Sequence, residues 1–374
     1  MLFLLVCLPG VVLSQDVSFI ALGDMHYDRL QDHNLDFVMS RPQDYKQILN
    51  EYPQYTAFYM PRFLQLIKKQ TNAQPGVKAV VQLGDLVEGV AGSAALARQM
   101  NRGIVDMLYE TGLPVPWVLV KGNHDVSNSP GQPEAWQEVI RPFIEGQIGK
   151  FIGHGMYTYQ ISPNTEFFVL DQFFSVDRNL PESEMVDFLE NAFKGSTATY
   201  KFVLTHQPVI PVTQRCWHLL SGIRRPLKDT VLRESLLNIL AKNKAIVLCA
   251  HLHEYSVLSR KTKSGNVVQV MINSVNRGLN TPLPNVIHRE YKGEGWIDSD
   301  ASWQPETSET RRKILREEKK HITDFQLMDL PGYALISVSD KTPQVTLKYF
   351  NGFAEVPYQT IDLSKLMLTG KLPF

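Results

Sequence analysis

The sequence predicts an α/β fold, and three observations carry that expectation. Short β-branched runs alternate with segments of helical periodicity. Hydrophobic residues make up 44% of the 374-residue chain, enough to build a full core. No apolar run of 18 residues occurs in the body of the chain, which excludes a multi-span membrane protein. The runs at 17–22, 77–83, 117–120, 167–170, 202–204, 245–249 and 267–272 read as buried strands. Between them, 59–70, 94–109, 182–193 and 231–242 carry apolar residues at helical spacing. Two more strands are expected at 333–339 and 344–350, joined around Lys341-Thr342-Pro343.

The least regular part is 291–329, polar and Trp-containing at first, then basic and helical over 310–321. Its cations Arg311, Arg312, Lys313, Arg316, Lys319 and Lys320 are interleaved with Glu317 and Glu318, the pattern of a solvated helix face with local ion pairs. The chain balances 38 basic against 38 acidic side chains, so no global field attracts a polyanion and no nucleic-acid partner is expected.

Residues 1–15 (MLFLLVCLPGVVLSQ) contain no charged side chain and read as a signal peptide ending at Ser14, although no Lys or Arg precedes the apolar run. The expected organisation is a leader at 1–14 and a single domain at 15–374. That domain has an irregular polar and basic insertion at about 286–330 and C-terminal strands over 333–350. A secreted or periplasmic protein follows, with no integral membrane segment in the mature chain. Cys216 and Cys249 would remain, either paired or simply core.

The chemistry lies where strands end. The first strand runs into Gly23-Asp24-Met25-His26 and the second into Gly84-Asp85. The third leads through Lys121 to Gly122-Asn123-His124-Asp125. Two later strands end in Thr205-His206 and in Ala250-His251-Leu252-His253. Ligands of α/β sheets bind at C-terminal strand edges, so these five ends can converge on one crevice. One such ending is usually a turn; five in series are not.

This ordered series resembles the calcineurin-like metallophosphoesterase superfamily, over residues 23–253. The resemblance implies an αββα sandwich, two mixed β-sheets flanked by helices, with two divalent metal ions per chain at the strand ends. By position, Asp24, His26, Asp85 and His253 would hold one ion, and Asp85, Asn123, His206 and His251 the other. His124 would act on the substrate. Such donors suit Mn, Fe or Zn better than calcium. A carboxylate with two oxygens, here Asp85, suits a bridge between cations about 3.5–4 Å apart, and the bridging water would become a hydroxide for in-line attack on phosphorus.

His124 needs a partner to hold its tautomer. Glu88, three residues after the bridging Asp85, stands where the Ser/Thr phosphatase branch places that carboxylate. Asp125 is the alternative, although in the family it more often anchors its loop. Glu88 also argues against a purple acid phosphatase, which resembles this plan but carries a metal-binding tyrosine there and lacks a counterpart of His26. Ala250 replaces the family's usual glycine, which is tolerable unless the backbone needs a positive φ.

The function expected is therefore a metal-dependent phosphoric ester hydrolase acting on a small phosphorylated substrate. His124 assists the leaving group or stabilises phosphoryl charge, and monoesters are slightly favoured over diesters. The alternative is a non-catalytic, metal-stabilised binding protein that retained the site. Outside the five blocks, His33 and Asp36 are candidates for the cleft, Arg277 for a phosphate contact, and Trp217, Trp296 and Trp303 for a substrate wall. His154, His218, His288 and His321 read as ordinary surface or core residues.

Overall fold

A computed structural model describes residues 16–50, 52–126, 129–153, 155–173, 182–220, 230–273, 283–284, 286–297 and 308–373. The expected leader, Cys7, His154, Arg277 and Trp303 lie outside the described residues. Thirteen strands among the described residues form two sheets. They are β1 (Val17–Leu22), β2 (Val77–Gln82), β3 (Trp117–Leu119), β4 (Tyr157–Ser162), β5 (Thr165–Val169), β6 (Tyr200–Leu204), β7 (Ile246–Cys249), β8 (Tyr255–Thr262), β9 (Gly265–Met271), β10 (Ile322–Met328), β11 (Gly332–Ser339), β12 (Gln344–Asn351) and β13 (Gln359–Asp362).

The first sheet runs β13-β12-β11-β1-β2-β3 and the second β10-β8-β9-β7-β6-β5-β4. The first is parallel in one half and antiparallel in the other, and the second is parallel at its centre and antiparallel at both margins. β1, β2 and β3 are parallel while β11, β12 and β13 alternate beside β1. In the second sheet β5, β6, β7 and β9 are parallel, with β4, β8 and β10 antiparallel. Parallel strands are covered on both faces, and the sequence shows why they read as unbroken apolar runs. Phe167, Phe202, Ile246 and Leu248 point into the core shared with the first sheet, where Phe19 meets Phe167 and Phe202 edge-on at 4.8 and 4.9 Å. Their neighbours Phe168, Val203 and Val247 point the other way, onto the helices Glu182–Gly195 and Thr230–Lys242. Helices Tyr52–Ala73 and Ala94–Thr111 pack into the core on the side of the first sheet. The architecture is the two-sheet α/β sandwich expected.

Two differences have physical causes. The helix expected over 59–70 begins at Tyr52 and holds Pro61 in its interior, so proline does not mark its start. The stretch expected to be an irregular insertion supplies an edge strand, β10, which pairs with β8 over Met328–Tyr255 to Ile322–Arg260. Its polar residues belong to an edge where only half the strand is fully buried. The basic helix runs from Ser308 to Lys319. The expected solvated face with local ion pairs is corrected: Arg316 pairs with Glu294 and Lys319 with Glu290, both distant in the chain. Among the described residues of this stretch only Lys320 with Glu317 is a local pair, and Arg311 and Glu318 are buried. Cys216 and Cys249 are both buried and free.

Candidate metal centre

All nine predicted site residues come together at the C-terminal ends of β1, β2, β3, β6 and β7. Close approach of these turns constrains the sequence. Gly84 has φ +96°, and a Cβ there would sit 2.5 Å from His206 Nδ1. A Cβ on Gly122 would lie 2.1 Å from the Asp85 backbone nitrogen. His26, Asp85, His251 and His253 themselves adopt left-handed backbone, with φ of 44°, 53°, 75° and 56°. Each such residue costs about 1–2 kcal/mol, a strain concentrated here on residues aimed at a common point. Ala250 is not among the residues with positive φ, so its methyl is tolerated.

Three sets of side chains bring ligand atoms within 4.8 Å of one another: Asp24, His26 and His253; His26, Asp85 and His124; and Asp85, His206 and His251. The hydrogen-bond pattern determines the chemistry. His206 Nδ1 lies 2.9 Å from the Leu83 carbonyl, which only accepts, so this nitrogen carries a proton. His206 Nε2 then faces Asp85 Oδ2 at 3.1 Å, Asn123 Oδ1 at 3.1 Å and His251 Nδ1 at 3.0 Å. In the first half, His26 Nε2 faces His253 Nε2 at 3.1 Å. Atoms able to offer lone pairs are thus gathered at short range, the disposition that a bound cation would use. Buried, mixed imidazole, carboxylate and amide donors in this arrangement fit divalent transition metals.

Electrostatics agree. Burial works against a charge on His206, but Asp85 and Asp24 outweigh it and raise its pKa to about 9. Burial likewise opposes ionisation of Asp85, yet His206 and His124 hold its carboxyl well below the usual range. Asp24, with burial dominant and His206 opposing, rises to about 6. Its carboxylate also accepts the His251 backbone N–H at 3.1 Å, tying the first strand end to the last.

Glu88 departs from expectation. Its carboxylate does not serve His124; Oε2 lies 2.8 Å from His26 Nδ1, while Oε1 is 3.7 Å from His124 Nδ1. The backbone carbonyl of Glu88 orients His124 instead, accepting from Nδ1 at 2.6 Å. The positive φ of neighbouring Gly89 accompanies this return of the chain toward His124. One residue thus holds His26 through its side chain and His124 through its backbone. Burial pushes the Glu88 carboxyl well above its ordinary range, against the pull of His124. Asp125 is the loop anchor: Oδ1 accepts from Leu86 and Val87 N–H at 2.8 and 3.2 Å, and Oδ2 from Gly122 at 2.7 Å.

The outlying candidates separate. His33 is buried against Asp28 and the Val90 carbonyl, a structural pair, and Asp36 is exposed on a short helix. Trp296 packs Tyr291 and Phe325. Trp217 does reach the centre, its ring 5.0 Å from that of His251. His218 is buried and, with burial foremost, depressed to about 3. Sequence reading missed three contributors: Gln207, 3.4 Å from His251 Nε2; Arg215, stacked on Trp217 at 4.8 Å; and the buried Lys121–Asp171 pair at 2.5 Å. Lys121 was legible in its place beside Gly122-Asn123, and Gln207 in its adjacency to His206. Arg215 carried no motif.

Comparisons with known proteins follow this geometry. The family model for calcineurin-like phosphoesterases matches residues 17–255. No curated protein sequence matches significantly. Among solved structures, a purple acid phosphatase from yellow lupin (Lupinus luteus) seeds is 12% identical with TM-score 0.55, the alignment covering 93% of this chain and 53% of that one. This chain therefore spans about half the length of that protein. A PhoD structure is 15% identical with TM-score 0.56, covering 95% of this chain and 70% of that one. A dimetal phosphatase from Danio rerio is 14% identical with TM-score 0.51, covering 92% and 99%. At such identities these likenesses establish the fold, and the match over residues 17–255 establishes more: the chain belongs to the calcineurin-like phosphoesterase family.

Proposed function

We propose that this chain hydrolyses phosphate monoesters, with Asp24, His26, Asp85 and His253 holding one divalent cation and Asp85, Asn123, His206 and His251 the other. The observation that carries the reading is the convergence of Asp85 Oδ2, Asn123 Oδ1 and His251 Nδ1 on His206 Nε2 at 3.0–3.1 Å, a buried set of atoms of the type that divalent metals take. Two bound cations would supply Lewis acidity toward phosphoryl oxygens and an ionised water at neutral pH. His124 works from the chain's side. With Nδ1–H donated to the Glu88 carbonyl, Nε2 is the nitrogen left to face the leaving oxygen, and in the imidazolium form it carries the proton to be given. Glu88 keeps the His26 ring in place, and Asp125 keeps the two loops that carry Asp85 and Asn123 in register. A dianionic monoester suits two dications better than a monoanionic diester does.

The test is chelation followed by readdition. Dialysed protein should lose hydrolysis of para-nitrophenyl phosphate and regain it with Mn, Fe or Zn. Full turnover by metal-free protein would overturn the reading. Faster hydrolysis of bis(para-nitrophenyl) phosphate than of the monoester would overturn the monoester preference alone.

A further inference from the structure

One wall of the centre is a loop whose conformation is imposed from outside. The segment 208–219 leaves ligand His206 and closes on itself, Leu219 N–H donating to the Pro208 carbonyl at 2.7 Å. Its backbone is held by side chains of four other elements. Gln269 of β9, fully buried, accepts from the Val209 and Ile210 N–H groups at 2.9 Å each and donates to the Ile210 carbonyl at 3.0 Å. Tyr291 donates to the Pro211 carbonyl at 2.7 Å, Arg311 to that of Gln214 at 2.8 Å, and Arg233 to that of Val209 at 3.3 Å. Cys216 turns inward with φ 55°, and the His218 ring donates Nδ1–H to its carbonyl at 2.7 Å.

What this frame presents on either side of Cys216 is a stack. Trp217, half-buried, lies against His251, and the exposed Arg215 guanidinium lies over the Trp217 ring. A freely moving surface arginine would gain little; one laid on an indole keeps its fork pre-oriented for a planar anion. Trp217 touches both groups, its ring 5.0 Å from the His251 ring and 4.8 Å from the guanidinium, so the cation is joined to the centre through the indole. A cation so joined suits a neighbouring group of the same substrate.

We propose that Arg215, seated on Trp217, selects phosphoesters that carry a second anionic group beside the scissile phosphate. The proposal rests on the phosphoesterase reading above and adds a specificity determinant to it. A carboxylate or a second phosphate would meet the guanidinium by paired charge-assisted hydrogen bonds.

The test compares two esters of the same length, 3-phosphoglycerate and glycerol 3-phosphate, which differ by one carboxylate. Each is measured both as a substrate and as a competitor of aryl phosphate hydrolysis. Wild-type protein should favour the charged ester by about 10- to 100-fold, the worth of one such contact. Arg215→Ala should collapse that ratio toward one, Arg215→Lys should restore part of it, and Arg215→Glu should invert it. Unfolding curves of each variant accompany the kinetics, so that loss of fold is told apart from loss of selectivity. Equal loss on both esters would mean that Arg215 serves the scissile phosphate and would overturn the proposal. A wild-type protein without preference would overturn it as well. Failure of wild-type protein to hydrolyse either para-nitrophenyl phosphate or bis(para-nitrophenyl) phosphate would instead strike the underlying reading.

Discussion

Two buried clusters of charge in this molecule invite comparison. At the strand ends, Asp24, Asp85 and Glu88 meet His26, His206, His251 and His253. On the far side of the second sheet, Glu318 is gripped by Arg233 at 2.6 Å and by Arg260 at 2.9 Å, with Glu234 completing the set on Arg260. The second cluster has a donor for each acceptor, two guanidinium forks against two carboxylates, and its charges are balanced. Burial opposes ionisation of Glu318, but Arg233 and Arg260 hold its pKa at about 2. The first cluster gathers carboxylate and imidazole groups on strained backbone. Balance marks a structural joint, here fastening the basic helix to β8 and to helix Thr230–Lys242; imbalance marks a binding site.

Breaking each cluster should therefore fail in a different currency. The largest effect belongs to Asp85, which contributes to two of the three ligand sets. Asp85→Ala should remove bound metal and lower turnover by more than about 10³-fold, with metal analysis alongside kinetics as the check. His124→Ala should lower turnover by about 10²–10⁴. The defect should be smaller on activated aryl esters than on alkyl esters, and metal content should be retained. Loss of a metal in that variant would make His124 a ligand, a role that its grouping with His26 and Asp85 permits.

Glu318→Ala acts on the other cluster. It strands two arginines and should cost about 3–5 kcal/mol of stability, read by denaturant unfolding, while folded protein keeps its metals.

Acid should expose the same joint more gently. The folded pKa of Glu318 is depressed from 4.5 to about 2, so its contribution is complete above 4.5 and lost as pH falls through about 2. His218 is depressed from 6.5 to about 3, chiefly by burial and then by Arg233. The unfolded chain takes up that proton first, so stability should also decline from pH 6.5 toward 3. Glu318→Gln should flatten the lower window of the unfolding profile and leave the upper one.

The smallest effect is expected at Ala250. Its φ is not positive, so Ala250→Gly should gain nothing from glycine's freedom and cost about 0.5–1 kcal/mol through the unfolded chain.

The proposed metal ligands were legible because their chemistry is local: each follows directly on a strand whose apolar run announces it, and the order of five such endings leaves little freedom. The parallel strands were legible for the same reason, since burial on both faces leaves an unbroken apolar signature. The edge strands β4 and β10 were not, because a half-buried strand reads as a polar segment until its partner is known. Only the tertiary structure decided what Glu88 does. Its sequence position beside Asp85 suits either histidine, and a backbone turn through Gly89 gave its carboxylate to His26 and its carbonyl to His124. Arg215 and the Glu318 joint were decided in the same way. Charges far apart in the chain acquire meaning only when packing removes the water between them, and which ones meet is a property of the fold and not of any short stretch of sequence.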